Sequence, residues 1–176
     1  MELTDLQPVK LWEAFEDEIC RRSGLNASIF NTEGIRITDN QKWPNRLCPA
    51  IKADPKGQSF ICATAHMNIA LQAREQRHGL VEGCDAGLVK LVVPIFVEDA
   101  YLGAVGACGL LLDDEPVDDF LVGKITDLDE SAIEDLAAGI PSITTEQAEA
   151  LKIFIQERID QIVAAHRTAR NHPPGK

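Results

Sequence analysis

Positive charge is scarce in this sequence: 17 Lys and Arg stand against 28 Asp and Glu, a net charge of -11. That balance offers no basic patch for nucleic acid and argues equally against docking on an anionic membrane. Long hydrophobic runs are missing too. The longest, around Leu91–Val97, falls far short of the roughly 20 residues that span a bilayer. The N-terminus, Met1-Glu2-Leu3-Thr4-Asp5, has neither a basic start nor an apolar block, so no signal peptide is expected. The expected location is the cytoplasm. Thiols stay reduced there, so the five cysteines are expected to be free, catalytic or metal-binding rather than paired in disulfides.

Catalytic signatures are absent as well. No serine stands in a G-x-S-x-G context. Gly103, Gly106 and Gly109 do not make G-x-G-x-x-G, and no helix with a free N-terminus follows them, so a nucleotide site is not expected. No cysteines form the compact C-x-x-C pairs of a structural zinc site. Cys84 with His78, or Cys62 with His66, would make a Cys–His nucleophile pair, but no local signature supports either. The chain is not expected to be an enzyme. It has no internal repeat and no low-complexity tract.

What is present centres on Cys84–Leu112. Leu88–Val97 and Tyr101–Leu112 read as two strands of one antiparallel hairpin, with Glu98-Asp99-Ala100 as the turn. Both strands are almost continuously apolar, which predicts cover on both faces. The second strand crowds Gly103, Ala104, Gly106, Ala107, Cys108 and Gly109 together. Such a run marks a bulge, a close backbone approach or room for something else. Cys84 enters the first strand and Cys108 lies near the end of the second, so the hairpin can bring them to one end of the sheet.

Helices are predicted around it. Pro8–Arg22 carries Leu11, Trp12, Phe15 and Ile19 on its inner face, with Glu13, Glu16 and Asp17 facing elsewhere. Ala27–Asn31 is a short strand, and Ile35–Thr38 would return as its partner. Asp39–Arg46 is a polar loop holding Trp43-Pro44, and Leu47–Ala53 a short helical turn. After the break at Asp54-Pro55-Lys56-Gly57, Ser59 is expected to cap a long helix running to about Arg77, with Phe60, Ala63, Met67, Ala70 and Leu71 inward. Pro116 suits a first helical position before Val117–Val122, and Asp129–Ala138 makes a further short helix. Thr144 and Gln147 form a capping box for a last helix to about Arg170, whose stripe is Leu151, Ile155, Ile159 and Ile162. The fold expected is α+β: an antiparallel sheet covered by helices, with long N- and C-terminal helices, as one domain over 1–170 and a flexible tail at 171–176.

Cysteine is the residue class that calls for a functional account. Cys48, Cys62, Cys84 and Cys108 fall in the middle of the chain, while Cys20 lies apart and is read as packing. A soft thiolate cluster suits zinc, copper(I) or an iron–sulfur cluster. The competing reading is that free cysteine packs as a small hydrophobe. Asp85, at the strand entrance, serves either the turn or a pocket mouth. Trp43 and Tyr101 serve either as lids over the sheet or as packing.

Cys48, Cys62, then Cys84-Asp85-Ala86-Gly87-Leu88, Pro94-Ile95 and Leu102-Gly103 resemble the pattern of PocR-type sensory domains. The resemblance runs from about Leu11 to Ile162 and includes Ile140-Pro141-Ser142-Ile143-Thr144 before the last helix. It implies a PAS-like fold with an internal cavity that senses a small molecule such as a short diol. Cys108, in Gly-Ala-Cys-Gly, is an addition to that pattern. The expectation is a sensor acting in signal transduction or transcriptional regulation. Its ligand or redox cofactor, an iron–sulfur cluster or zinc among the candidates, would lie beside the hairpin. Cys48, Cys62, Cys84 and Cys108 would hold it, with Asp85, Trp43 and Tyr101 at the rim and Gly103 and Gly106 leaving room. With no output domain in the chain, the signal would pass to a partner in trans or through a homodimer built on the last helix. The alternative is a ligand-free interaction protein with buried structural cysteines.

Overall fold

The computed structural model describes residues 1–171. Its centre is the hairpin read from the sequence: β3 (Leu88–Val97) and β4 (Ala100–Leu112), joined at Glu98-Asp99. β1 (Asn26–Asn31) lines the other edge of β4, and β2 (Leu80–Gly83) lines β3, all antiparallel, giving the order β1-β4-β3-β2. A two-residue strand, β5 (Ser142–Ile143), pairs parallel with Leu111 and Leu112.

Side chains alternate across a strand, and the two faces of this sheet differ in kind. One face presents Ala27, Ile29, Val89, Leu91, Val93, Ile95, Val105 and Ala107, in a core shared with Trp12, Phe15, Ile19, Leu151, Ile155, Ile159 and Val163. Those last seven come from α2 (Val9–Ser23) and α7 (Thr145–Asn171), which cover this side. Each large aliphatic side chain so buried contributes roughly 1.5–3 kcal/mol. The register puts Asn26, Ser28, Phe30, Lys90, Val92, Pro94, Ala104, Gly106 and Cys108 on the opposite, inner face. Over it lie α3 (Leu47–Ala53), a π-helical segment at Gly57–Ala63 and α4 (Thr64–Gln76), whose Ile69 and Ala73 pack on Val92 and Ala104. α1 (Leu3–Leu6) is fastened by the Trp12 Nε1–H, which donates to the Leu3 carbonyl at 3.0 Å. α5 (Asp119–Ile125) and α6 (Glu130–Ala137) close the end of the sheet where Ala86 and Leu88 lie.

The helix ends follow local chemistry. Gly24 caps α2 with φ +77 and donates to the Cys20 carbonyl. The Thr144–Gln147 capping box closes as expected, at 3.0 and 3.1 Å. α5 starts later than the sequence predicts, because Asp118 rather than Pro116 sets its start, accepting from the Leu121 N–H. The return strand expected at Ile35–Thr38 is reduced to one bridge, Phe30 with Arg36. The outer edge of β1 is instead finished by Glu16, whose Oε1 accepts from the Ile29 N–H at 2.8 Å and the Thr38 hydroxyl at 2.5 Å. Glu16 is therefore 0% exposed, while Leu11, expected inside, is 53% exposed.

The roof helix departs most. Asp54 accepts from the Lys56 and Gly57 N–H groups at 2.8 Å and does the work expected of Ser59. Gly57 then packs so close to Ile51 that a Cβ there would lie 2.3 Å from its carbonyl oxygen. The π turns take an extra residue each, and the face turned inward shifts with them. Ile61, Ala65, His66, Ile69 and Ala73 are buried, while Phe60, Met67 and Leu71 are 61%, 63% and 54% exposed. The tail beyond Asn171 lies outside the described residues.

Gly103 has φ +144, and a Cβ on it would stand 2.0 Å from the Phe30 carbonyl oxygen. Gly103→Ala is expected to lower unfolding free energy by roughly 3 kcal/mol in urea titration. Gly83, with nothing within 4 Å of its Cβ position, is the control. Its alanine variant should stay within about 0.5 kcal/mol of wild type.

Candidate ligand site on the inner sheet face

Four cysteines from four segments lie toward the end of the inner face next to α5 and α6. Cys48 is the second residue of α3, Cys62 sits in the π-helical segment, Cys84 opens the turn into β3, and Cys108 is on β4 opposite Lys90. Cys48, Cys62 and Cys84 pack on one apolar cluster built from Leu47, Ile51, Ile61, Ala86 and Leu88. Asn45 ties two of the segments together. Its Oδ1 accepts from the Cys48 N–H at 2.7 Å, and its Nδ2 donates to the Gly109 carbonyl at 2.6 Å and to Cys48 Sγ at 3.2 Å. Gly109, with φ +109, admits the Pro44 ring against the strand, where a Cβ would be 2.5 Å from Pro44 Cγ. The polar loop is thereby sewn to β4 beside Cys108. Sequence reading passed over Asn45, although an asparagine three residues before a helical N–H is a helix-capping signal.

Burial pushes the Cys48 thiol well above its ordinary range, and the neighbouring Cys108, Cys84 and Cys62 add to the rise. Burial, then Cys108 and Cys84, push Cys62 up to about 11. Cys84 is raised by burial and by Cys108, against the hydrogen bonds of its turn. At neutral pH Cys48, Cys62 and Cys84 are therefore protonated. All five cysteines are free. Among the described residues, no three of His, Cys, Asp and Glu stand together as a group that could hold a metal ion. The coordination sphere expected of Cys48, Cys62, Cys84 and Cys108 is therefore not formed in this arrangement.

The remaining expected site residues divide between two ends of the strand. Trp43 is half-buried at the cysteine end, with the Lys52 ammonium 5.4 Å from its ring centroid. Tyr101 lies seven residues from Cys108, about 23 Å along β4, with the Arg74 guanidinium 5.0 Å from its ring. One small ligand cannot touch both. Asp85 is exposed in the Cys84–Gly87 turn, on the rim of a groove of about 260 Å³ with Glu82 and Asn68. The space beside Gly103 is taken by the Phe30 carbonyl, and that above Gly106 by the Phe30 ring, 2.9 Å from the Cβ position.

Three further side chains mark the inner face. His66 stacks on Phe30 with ring centroids 3.8 Å apart, and its Nδ1 is enclosed without a partner. It also lines a cavity of about 140 Å³ with Gly34, Met67, Arg74 and Tyr101. Lys90 is buried on β3, its ammonium 5.7 Å from the Phe30 ring. Lys52 hangs from α3, one turn beyond Cys48. The two lysines went unnoticed in the sequence, although a lysine inside Leu88-Val-Lys-Leu-Val is an anomaly in a strand buried on both faces.

A helix-roofed antiparallel sheet, with an aliphatic core on one side and a polar, thiol-bearing face on the other, is the architecture of a PAS-like α+β sensory domain. The family model of the sensory domain found in PocR matches residues 5–166, and the chain belongs to that family. No curated protein and no solved structure matches it.

Burial first, then the Lys90 charge, push the His66 pKa down to about 3 from the ordinary value near 6.5. The unfolded chain therefore binds the extra proton between those values, so stability falls as pH drops through that window. This one residue should contribute a slope of up to about 1.4 kcal/mol per pH unit. Urea titrations at about pH 5 and about pH 6.5 should show a shallower loss for His66→Leu than for wild type.

Proposed function

We propose that this sensory domain recognises a small ligand or redox cofactor on the inner sheet face and reports it to a partner in trans or to a second copy. The observation that supports this reading is the packing of Cys48, Cys62 and Cys84, from three separate segments, on one apolar cluster, with Cys48 tied through Asn45 to Gly109 beside Cys108. Side chains gathered from distant segments by a π-helical turn, an Asn45 bridge and a tight β-turn are a costly arrangement for mere packing, and π turns recur at functional sites. The cytoplasm, where thiols stay reduced, is the compartment that suits them.

Thiols are the donor type for zinc or an iron–sulfur cluster, but the spacing does not fit one here, since no group of three donors stands ready among the described residues. An organic ligand needs no such closure, so it is the leading form of the proposal. The signal would leave through α7, which spends its buried stripe of Leu151, Ile155, Ile159 and Val163 on its own sheet. A homodimer would have to use the outer side of that helix, where Ile153 is 57% exposed.

The raised thiol pKa values also suit the second reading, in which the cysteines fill space in a ligand-free protein. Protein purified without oxygen, with metal content and visible absorbance recorded, separates the two when compared with a Cys48→Ala, Cys62→Ala, Cys84→Ala, Cys108→Ala variant. The proposal expects a metal-free protein whose melting point rises with small organic ligands, a response lost in the variant; bound metal would overturn the organic-ligand form. A metal-free wild type that responds to no ligand and melts as the variant does would leave only the packing role.

A further inference from the structure

The inner face carries charge that nothing on it balances. Lys90 is 8% exposed in the middle of β3. Lys52 is half-buried on α3. Arg36 donates through Nη2 to the Asn40 carbonyl, but its Nε and Nη1 are enclosed without a partner. Among the described residues, none of the three forms an ion pair with a carboxylate. This occurs in a chain with 28 acidic residues. The cations share one neighbourhood: after burial, the charges of Arg36 and then Lys90 hold the Lys52 ammonium below its usual range.

The surrounding groups leave the imbalance in place. His66 is neutral at ordinary pH, and the Cys48, Cys62 and Cys84 thiols are protonated there. Glu16 lies near enough to feel Arg36, but burial raises its pKa and it spends Oε1 on Ile29 and Thr38. The faces of Phe30 and Trp43 attract the two ammonium groups, which offsets only part of the water they have lost. Lysine is almost never buried without a partner.

We propose that the ligand of this face is a small anion whose negative group lies between Lys90, Lys52 and Arg36. The inference rests on the sensor reading above and narrows it to a chemical class. A carboxylate or a phosphate would supply the missing charge, and a guanidinium fork suits both. Phe30 and the protonated Cys48, Cys62 and Cys84 thiols would meet the apolar remainder.

The test is thermal melting of the full chain at fixed ionic strength, with sodium chloride partly replaced by acetate, propionate or inorganic phosphate. Ethanol and 1,2-propanediol serve as neutral counterparts. At least one of the anions should raise the melting point by about 2 °C or more in wild type, beyond either neutral compound. Lys90→Gln should weaken that response about thirtyfold in concentration. Lys52→Gln, at a half-buried helix position, should weaken it too and guards against a Lys90 variant that fails to fold. A response to carboxylates and not phosphate, or the reverse, assigns the source of the charge. The proposal is overturned if no anion raises the melting point, if the neutral compounds do as well, or if both lysine variants respond as wild type. A neutral-compound response abolished by removing the four cysteines would keep the sensor reading and discard the anion.

Discussion

The β3–β4 hairpin is covered on both faces, and that one demand organises the molecule. A strand pair this apolar cannot be left wet on either side, so the chain must supply two covers. It supplies them unequally. α2 and α7 bring aromatic and branched side chains to one face and make the larger core there. Stability is concentrated on that side. The other face can then carry Gly106, Ser28, Lys90 and Cys108, residues that a single-core protein would not place at the centre of its sheet.

The inner cover is built for position rather than for burial. Its length is taken up by short pieces with specific joints: Asn45 to Gly109, Asp54 to Gly57, and Gly57 against Ile51. Each joint uses a hydrogen bond or a missing side chain, and each fixes a segment that carries a cysteine or a cation. Asp17 adds a fourth, accepting from Asn40 at 2.7 Å and from the Lys42 ammonium at 2.5 Å, and so holds the loop that delivers Trp43. Asp17 is held below the usual carboxylate range by its hydrogen bonds to Lys42 and Asn40.

The hairpin, its turn and the α7 cap were all legible in the sequence, because period-two patterning and capping chemistry are local signals. The roof was not. A π turn has no sequence signature of its own, and it displaced the apparent apolar stripe Phe60–Met67–Leu71 into solvent while turning His66 inward. Glu16 misled for a related reason. A carboxylate on an amphipathic helix reads as solvated, and only the tertiary edge of β1 reveals the N–H it accepts from. Gly103 and Gly106 were expected to leave room for a ligand, but the group that fills that room is Phe30 of the same chain. The charge on the inner face was legible after all: Lys90 interrupts an otherwise apolar strand, and a buried cation is the more informative kind of exception.

Transmission between the two faces follows from the thickness of a single sheet. Lys90 points to the roof, while its neighbours Val89 and Leu91 point into the core shared with α7. Cys108 stands in the same relation to Ala107. A group that draws Lys90 or Cys108 toward itself must move backbone that also carries side chains packed with α7, because close-packed interiors transmit small displacements rather than absorb them. On the reading proposed above, the long helix would feel a ligand without touching it. What it requires is that β3 and β4 shift as a unit, and the continuous register from Lys90–Cys108 to Ile95–Gly103 makes them one.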